Sequence, residues 1–130
     1  TSSAASDVYK RQALAELELK PRDYVVIATH NHDFDREILA EVLKTDAGYI
    51  GMIGSSRKVA KVFKELRLEG FSEDLLARAH APIGLDILAE TPEEIAVSIL
   101  GELIRHRRQS RSVKTTRGAD VDHLSHARRG

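Results

Sequence analysis

The spacing of apolar positions along the 130-residue chain changes several times, and each change marks an element. Residues 24–28, YVVIA, are continuously apolar and β-rich, as in a strand buried on both faces of a parallel sheet. Over 35–44 the period becomes helical, with Ile38, Leu39, Val42 and Leu43 on one face and Asp33 or Asp35 placed to cap the start. Residues 49–53, YIGMI, predict a second strand. Ser55 or Ser56 then opens a second helix, whose Val59, Val62, Phe63 and Leu66 form an inward stripe and which Gly70 closes. A third helix is expected over 72–79, with Ser72 as N-cap and Phe71 stapled against its first turn. Residues 80–87 read as a short extended link. Thr91-Pro92-Glu93-Glu94 places Thr at the N-cap, Pro at the first helical position and Glu at the third, a capping box. The helix it opens carries Ile95, Ile99, Leu103 and Ile104 to the arginines near 108, where the helix dipole favours cations.

Strand, helix, strand, helix with short links predicts an α/β fold built on a right-handed βαβ crossover. Two such strands do not make a stable sheet alone, so partner strands are expected from elsewhere and the chain reads as part of a larger fold. Residues 1–12 show no apolar period and are set aside as a non-native leader. A short helical piece, ALAELELK, follows, and the folded portion is placed at 13–108. Residues 109–130 are polar and patternless, a disordered basic tail.

Charge sharpens that division. The formal net charge is zero, with 20 basic and 20 acidic residues. From Arg105 onward the balance is eight basic to two acidic, so the tail is strongly positive and the body equally negative. Positive charge alone suits nucleic acid, but the tail has no aromatic interleaving and matches no recognition module, so it reads as a solvated segment with no nucleic-acid partner. The absence of cysteine excludes disulfides, cysteine-ligated metal and thiol catalysis, in keeping with a cytoplasmic setting. No apolar run reaches the length of a membrane span, so no membrane partner is expected.

Three polar stretches carry candidate chemistry. Thr29-His30-Asn31-His32-Asp33 lies where the first strand gives way to a helix, the carboxyl edge at which open α/β sheets bind ligands. His-x-His with nearby Asp suggests zinc, with a third ligand to be drawn from Asp33, Asp35 or the distant His80 and Asp86, but Phe34 and Arg36 interrupt the metallo-hydrolase pattern. A ligand-lining loop, or a solvated loop capping the helix, accounts for the same residues, and no metal is assigned. Gly54-Ser55-Ser56-Arg57-Lys58 forms the second strand-to-helix turn. Its glycine, serines and cations suit an anion cradle, although it fits neither the P-loop nor the G-x-G-x-x-G pattern, and an ordinary serine cap explains it equally well. His80-Ala-Pro-Ile-Gly84-Leu-Asp86 concentrates polar and turn residues outside any helix, either to line a site or as a rigid connector. Nothing here requires a catalytic residue.

Taken together, THNHDFDREIL, DAGYIGMIGSSRK, LARAHAPIGLDI and TPEEIAVSILGELI resemble the C-terminal Rossmann domain of the XdhC/CoxI family, in order and spacing, over about two-thirds of the chain. Ser56 departs mildly from a family position where arginine is common. The resemblance implies a partial Rossmann-like doubly wound parallel sheet, its C-terminal half, with the family's glycine-rich turn and cysteine motif lying upstream. It further implies an accessory protein that binds the molybdenum cofactor, assists its sulfuration with a cysteine desulfurase, and delivers it to an apo molybdenum hydroxylase of the xanthine dehydrogenase type. Such a protein acts as a cofactor chaperone more than as a catalyst, and family members tend to form homodimers. The candidate cofactor-lining residues are then Thr29, His30, Asn31, His32, Gly54, Ser55, Ser56, Arg57, Lys58, His80, Gly84 and Asp86. An NAD(P)-binding oxidoreductase domain is the alternative that a Rossmann sheet allows.

Overall fold

The structure, a computed structural model, describes the backbone of residues 12–14 and 16–118 and side chains as far as 112. The proposed leader, apart from residue 12, and the end of the tail lie outside the described residues. Residues 12–14 and 16 are helical. The order that follows is β1 (Tyr24–Ile27), α1 (His32–Val42), β2 (Tyr49–Met52), α2 (Ser56–Leu68), α3 (Glu73–Leu76), β3 (Ala79–His80) and α4 (Pro92–Gly118). The chain divides into two compact units, one up to Ile83 and one from Gly84.

The first unit is a parallel sheet of order β1-β2-β3. Tyr24 pairs with Tyr49 and Ile27 with Met52, and β3 joins through Ala79 opposite Ile50 and His80 opposite Gly51. Strand alternation separates the sheet's faces. Ile27, Ile50 and Met52 point to one face and are buried with Leu39, Val42 and Leu43 around α1 and Val59, Val62 and Leu66 on α2. Both crossovers step in the same direction, so right-handed connections put α1 and α2 on this same face. Tyr24, Val26, Tyr49, Ile53 and His80 take the other face. There Tyr24, Val26 and Ile53 stay exposed, while the rings of Tyr24 and Tyr49 stack at 5.4 Å and those of Tyr49 and His80 at 4.7 Å.

Several expectations move. Asn31, not Asp33 or Asp35, caps α1: its Oδ1 accepts the Phe34 N–H at 3.1 Å. The first turn, HDFD, carries no apolar period, so the pattern began too late; the two aspartates sit where they oppose the helix dipole. Ser55 caps α2, as the first of the two expected serines. Gly70, at φ +102, follows the last turn, and the Phe71 N–H reaches back to the Leu66 carbonyl at 3.0 Å. The third helix stops at Leu76, and Ala79–His80 is a strand, because pairing with β2 overrides the local helical preference. Arg78 supports this junction, donating to the carbonyls of Leu43 at 2.7 Å and Ala47 at 2.9 Å. These hydrogen bonds satisfy an orphan carbonyl at the end of α1 and fix the loop after it.

In the second unit the capping box forms as expected. Thr91 Oγ1 accepts the Glu94 N–H at 3.1 Å, and the Glu94 carboxylate accepts the N–H groups of Thr91 and Glu90, each at 3.0 Å. Those donors hold the Glu94 carboxyl below the usual carboxylate range, the Thr91 N–H foremost. The inward stripe differs from the expected one. Ser98 and Glu102 are buried, Ile99 and Leu103 half-buried, and Ile95 and Ile104 exposed. The reason is the close approach of the loop before the helix: the Leu85 N–H donates to the Ser98 carbonyl at 3.1 Å, and a Cβ on Gly84 would fall 2.5 Å from Ser98 Oγ. Only a small residue at 98 admits that loop. α4 also continues to Gly118, beyond the boundary set at 108, since no glycine or proline interrupts 109–117.

Candidate functional site

Because β1 and β2 are parallel and in register, the turns that follow them emerge side by side. The Ile53 N–H donates to the Ile27 carbonyl at 2.9 Å and carries the pairing one step beyond the strands. In the first turn, Thr29 is built into the loop. Its hydroxyl donates to Asp35 at 2.5 Å and receives the Asn31 N–H at 3.2 Å. Asp35, otherwise a buried carboxylate, thereby gains a partner. Thr29 and Asn31 thus hold the loop in shape and present His30 and His32, which are exposed.

In the second turn the Ser55 hydroxyl accepts the Lys58 N–H at 3.3 Å, which commits it to capping. Ser56, Arg57 and Lys58 form the exposed first turn of α2. A Cβ on Gly54 would meet Val59 at 3.7 Å and Lys58 at 3.9 Å, ordinary contact distances. The fold itself therefore does not require glycine at 54.

Between the first turn of α1 and the side of α2 lies a cleft of about 40 Å³ lined by His32, Asp33, Lys58, Lys61, Val62 and Glu65. It joins His32 from the first turn with Lys58 from the second. Lys61 belongs to the same wall, one helical turn beyond Lys58, and was not among the sequence candidates. The signal for it was present: positions 58 and 61 share a helix face. The two ammonium groups make no ion pair with any described residue, whereas Glu65 is engaged by Arg36 on α1. The Arg36 Nε lies 3.1 Å from Glu65 Oε2 without hydrogen-bond alignment, and its Nη1 pairs with Glu69. Arg36 thus bridges α1 to α2 through two carboxylates that share one guanidinium, so Glu65 still adds negative charge to the cleft wall. Asp33 and Glu65 are the carboxylates on the same lining.

The other candidates do not join this cleft. His80 stacks on Tyr49 on the face of the sheet opposite α1 and α2, so it is a member of a ring ladder and not of the expected link. Gly84 and Asp86 belong to the second unit, where Gly84, at φ +110, serves the loop packed on Ser98. Among the described residues, no three histidine, aspartate or glutamate side chains converge as a metal site would need. None of the described helices is long and apolar enough to cross a membrane.

Comparison with known proteins bears on this geometry. The profile of the XdhC Rossmann domain matches residues 2–103, a span that begins inside the stretch read as a leader. An uncharacterized Escherichia coli protein, YqeB, is 41% identical over 93 residues, covering 72% of this chain and 17% of its own length. A probable xanthine dehydrogenase subunit of Bacillus subtilis is 32% identical over 101 residues, covering 78% of this chain and 28% of its own. The crystal structure of a xanthine dehydrogenase from Bacillus halodurans superposes with a TM-score of 0.62 at 34% identity, over 75% of this chain and 27% of that one. The chain therefore spans between about a sixth and a little over a quarter of the length of these relatives. With a parallel three-stranded sheet, its helices in βαβ order and the profile match over most of its length, the chain belongs to the XdhC family and carries that family's Rossmann domain.

Proposed function

We propose that this domain serves an accessory protein of xanthine dehydrogenase-type molybdenum hydroxylases and holds the phosphate end of the molybdenum cofactor in the cleft between α1 and α2. The cleft carries the reading. It runs from the first turn of α1 along α2 and offers Lys58, Lys61 and His32 on its walls. A volume of about 40 Å³ suits one phosphate-sized group and is too small for a fused pterin ring. Lysine supplies compact positive charge without demanding a planar partner, which suits a phosphate monoester or a nucleotide diphosphate alike. Asp33 and Glu65 temper the attraction, in keeping with a carrier that has to release what it holds. The names of the Bacillus relatives support the association with xanthine dehydrogenase.

When bound, the cofactor brings the pterin dithiolene and its metal; this chain's residues bind and orient its charged end. Sulfuration with a cysteine desulfurase, delivery to the apo-hydroxylase and action as a homodimer complete the reading. The test is to purify the chain from a molybdenum-replete host and measure pterin fluorescence after acid oxidation. Fluorescence that falls at least about tenfold in a Lys58→Gln/Lys61→Gln variant is expected. Folded wild-type protein free of pterin, or a variant that retains it in full, overturns the proposal. A nicotinamide titration separates this reading from an NAD(P)-binding domain, since saturable dinucleotide binding in place of pterin favours the latter.

A further inference from the structure

Along α4, Glu93, Val97, Leu100, Ile104 and Arg108 recur at steps of four, three, four and four residues, which sets them on one face. The middle of that face is apolar and open: Val97 is 61% exposed, Leu100 58% and Ile104 50%. The buried side chains Ser98 and Glu102 lie on a different side of the helix. Glu93, at one end of the stripe, and Arg108, at the other, are exposed and make no ion pair with any described residue.

The pattern is its own complement when reversed. A two-fold axis between positions 100 and 101 sets Val97 opposite Ile104 and Glu93 opposite Arg108, and brings the two Leu100 side chains together at the axis. The two charged positions lie about 11 Å on either side of that axis at 1.5 Å per residue. Parallel pairing would instead place Glu93 beside Glu93 and Arg108 beside Arg108. An unrelated partner would give no reason for a stripe that reads acidic, apolar, basic about its own centre, whereas a two-fold interface requires self-complementarity of this kind. We infer that two copies of the chain pair antiparallel through this face of α4, with an apolar centre and two symmetric Glu93–Arg108 pairs at its ends.

This inference specifies the surface for the homodimer included in the proposed function and does not depend on the cofactor. One helix pair is a small interface, so association in the micromolar range, about 1–100 µM, is expected. Sedimentation equilibrium of the 130-residue chain between about 10 and 500 µM covers that range. Glu93→Arg and Arg108→Glu each turn two attractions into two repulsions and are expected to weaken pairing about tenfold. The double variant exchanges the charges and is expected to recover to within about threefold of the wild type, while Leu100→Lys leaves a monomer. Circular dichroism checks that each variant keeps its helices. A wild-type chain that is monomeric throughout, a dimer indifferent to Leu100→Lys, or single reversals that the double variant does not rescue overturns the inference. Pairing lost while pterin is retained, or pterin lost while pairing persists, shows which of the two readings fails.

Discussion

Arg78 shows how much a single side chain outside the site decides. Its guanidinium reaches two carbonyls separated from it by more than thirty residues, one at the end of α1 and one in the loop before β2. Removing it strands a half-buried acceptor at each, so Arg78→Ala is expected to cost about 2–3 kcal/mol in urea unfolding. An unchanged midpoint would show that water replaces the guanidinium without penalty. Two glycines give the opposite kinds of result. A Cβ at Gly48 would lie 1.8 Å from the Pro21 carbonyl oxygen, where only backbone movement makes room, and Gly48→Ala is expected to cost about 3 kcal/mol. At Gly54 the same substitution meets ordinary contacts, so stability is expected to stay within about 0.5 kcal/mol while pterin retention falls. Loss of stability at 54 would make that glycine structural. None of this was visible in the sequence, where Arg78 and Gly48 have no local pattern and owe their importance to distant backbone.

At the level of elements, legibility followed the strength of the period. β1 and β2 announced themselves as continuous apolar runs, and α2 as a clean amphipathic stripe closed by Gly70. β3 is two residues long, too short for alternation to register, and its existence depends on β2 lying beside it. α4 was recognisable by its start and misread in its facing, because an apolar count turns Ile95 and Ile104 inward while the loop at Gly84 selects the side with Ser98. The capping box that marked the start also sets a pH dependence. Glu94 is depressed by the N–H groups of Thr91 and Glu90. A carboxyl lowered in the folded state contributes stability that is present above its unfolded pKa and lost as pH falls through its folded value. The first turn of α4 is therefore expected to loosen on acidification below the ordinary carboxylate range. The amide resonances of Thr91 and Glu90 report it directly, and Glu94→Gln is expected to flatten their shift. Thr91→Ala, which removes the reciprocal bond, is expected to cost about 1 kcal/mol. Amides that do not respond to acid would mean that the carboxylate is not their acceptor in solution.

For the whole molecule, the site became legible only once the parallel register was known. His32 and Lys58 stand 26 positions apart, and nothing local joins them; the pairing of β1 with β2 does, and it brings Lys61 along. The same organisation makes a prediction about cooperativity. In the first unit all four residues of β2 are buried between two strands, whereas β1 stands at the sheet edge with Tyr24 and Val26 exposed. The second unit is held by the capping box and by the loop packed at Ser98. Local opening free energies follow buried contacts and the protection of backbone hydrogen bonds. Native-state hydrogen exchange is therefore expected to resolve two groups: β2 with the buried faces of α1 and α2 exchanging last, and α4 exchanging earlier as a unit of its own. Leu66→Ala, a fully buried truncation on α2, is expected to cost about 2–5 kcal/mol and to speed exchange throughout the first group. Exchange in α4 that accelerates by the same factor would show one cooperative body in place of two.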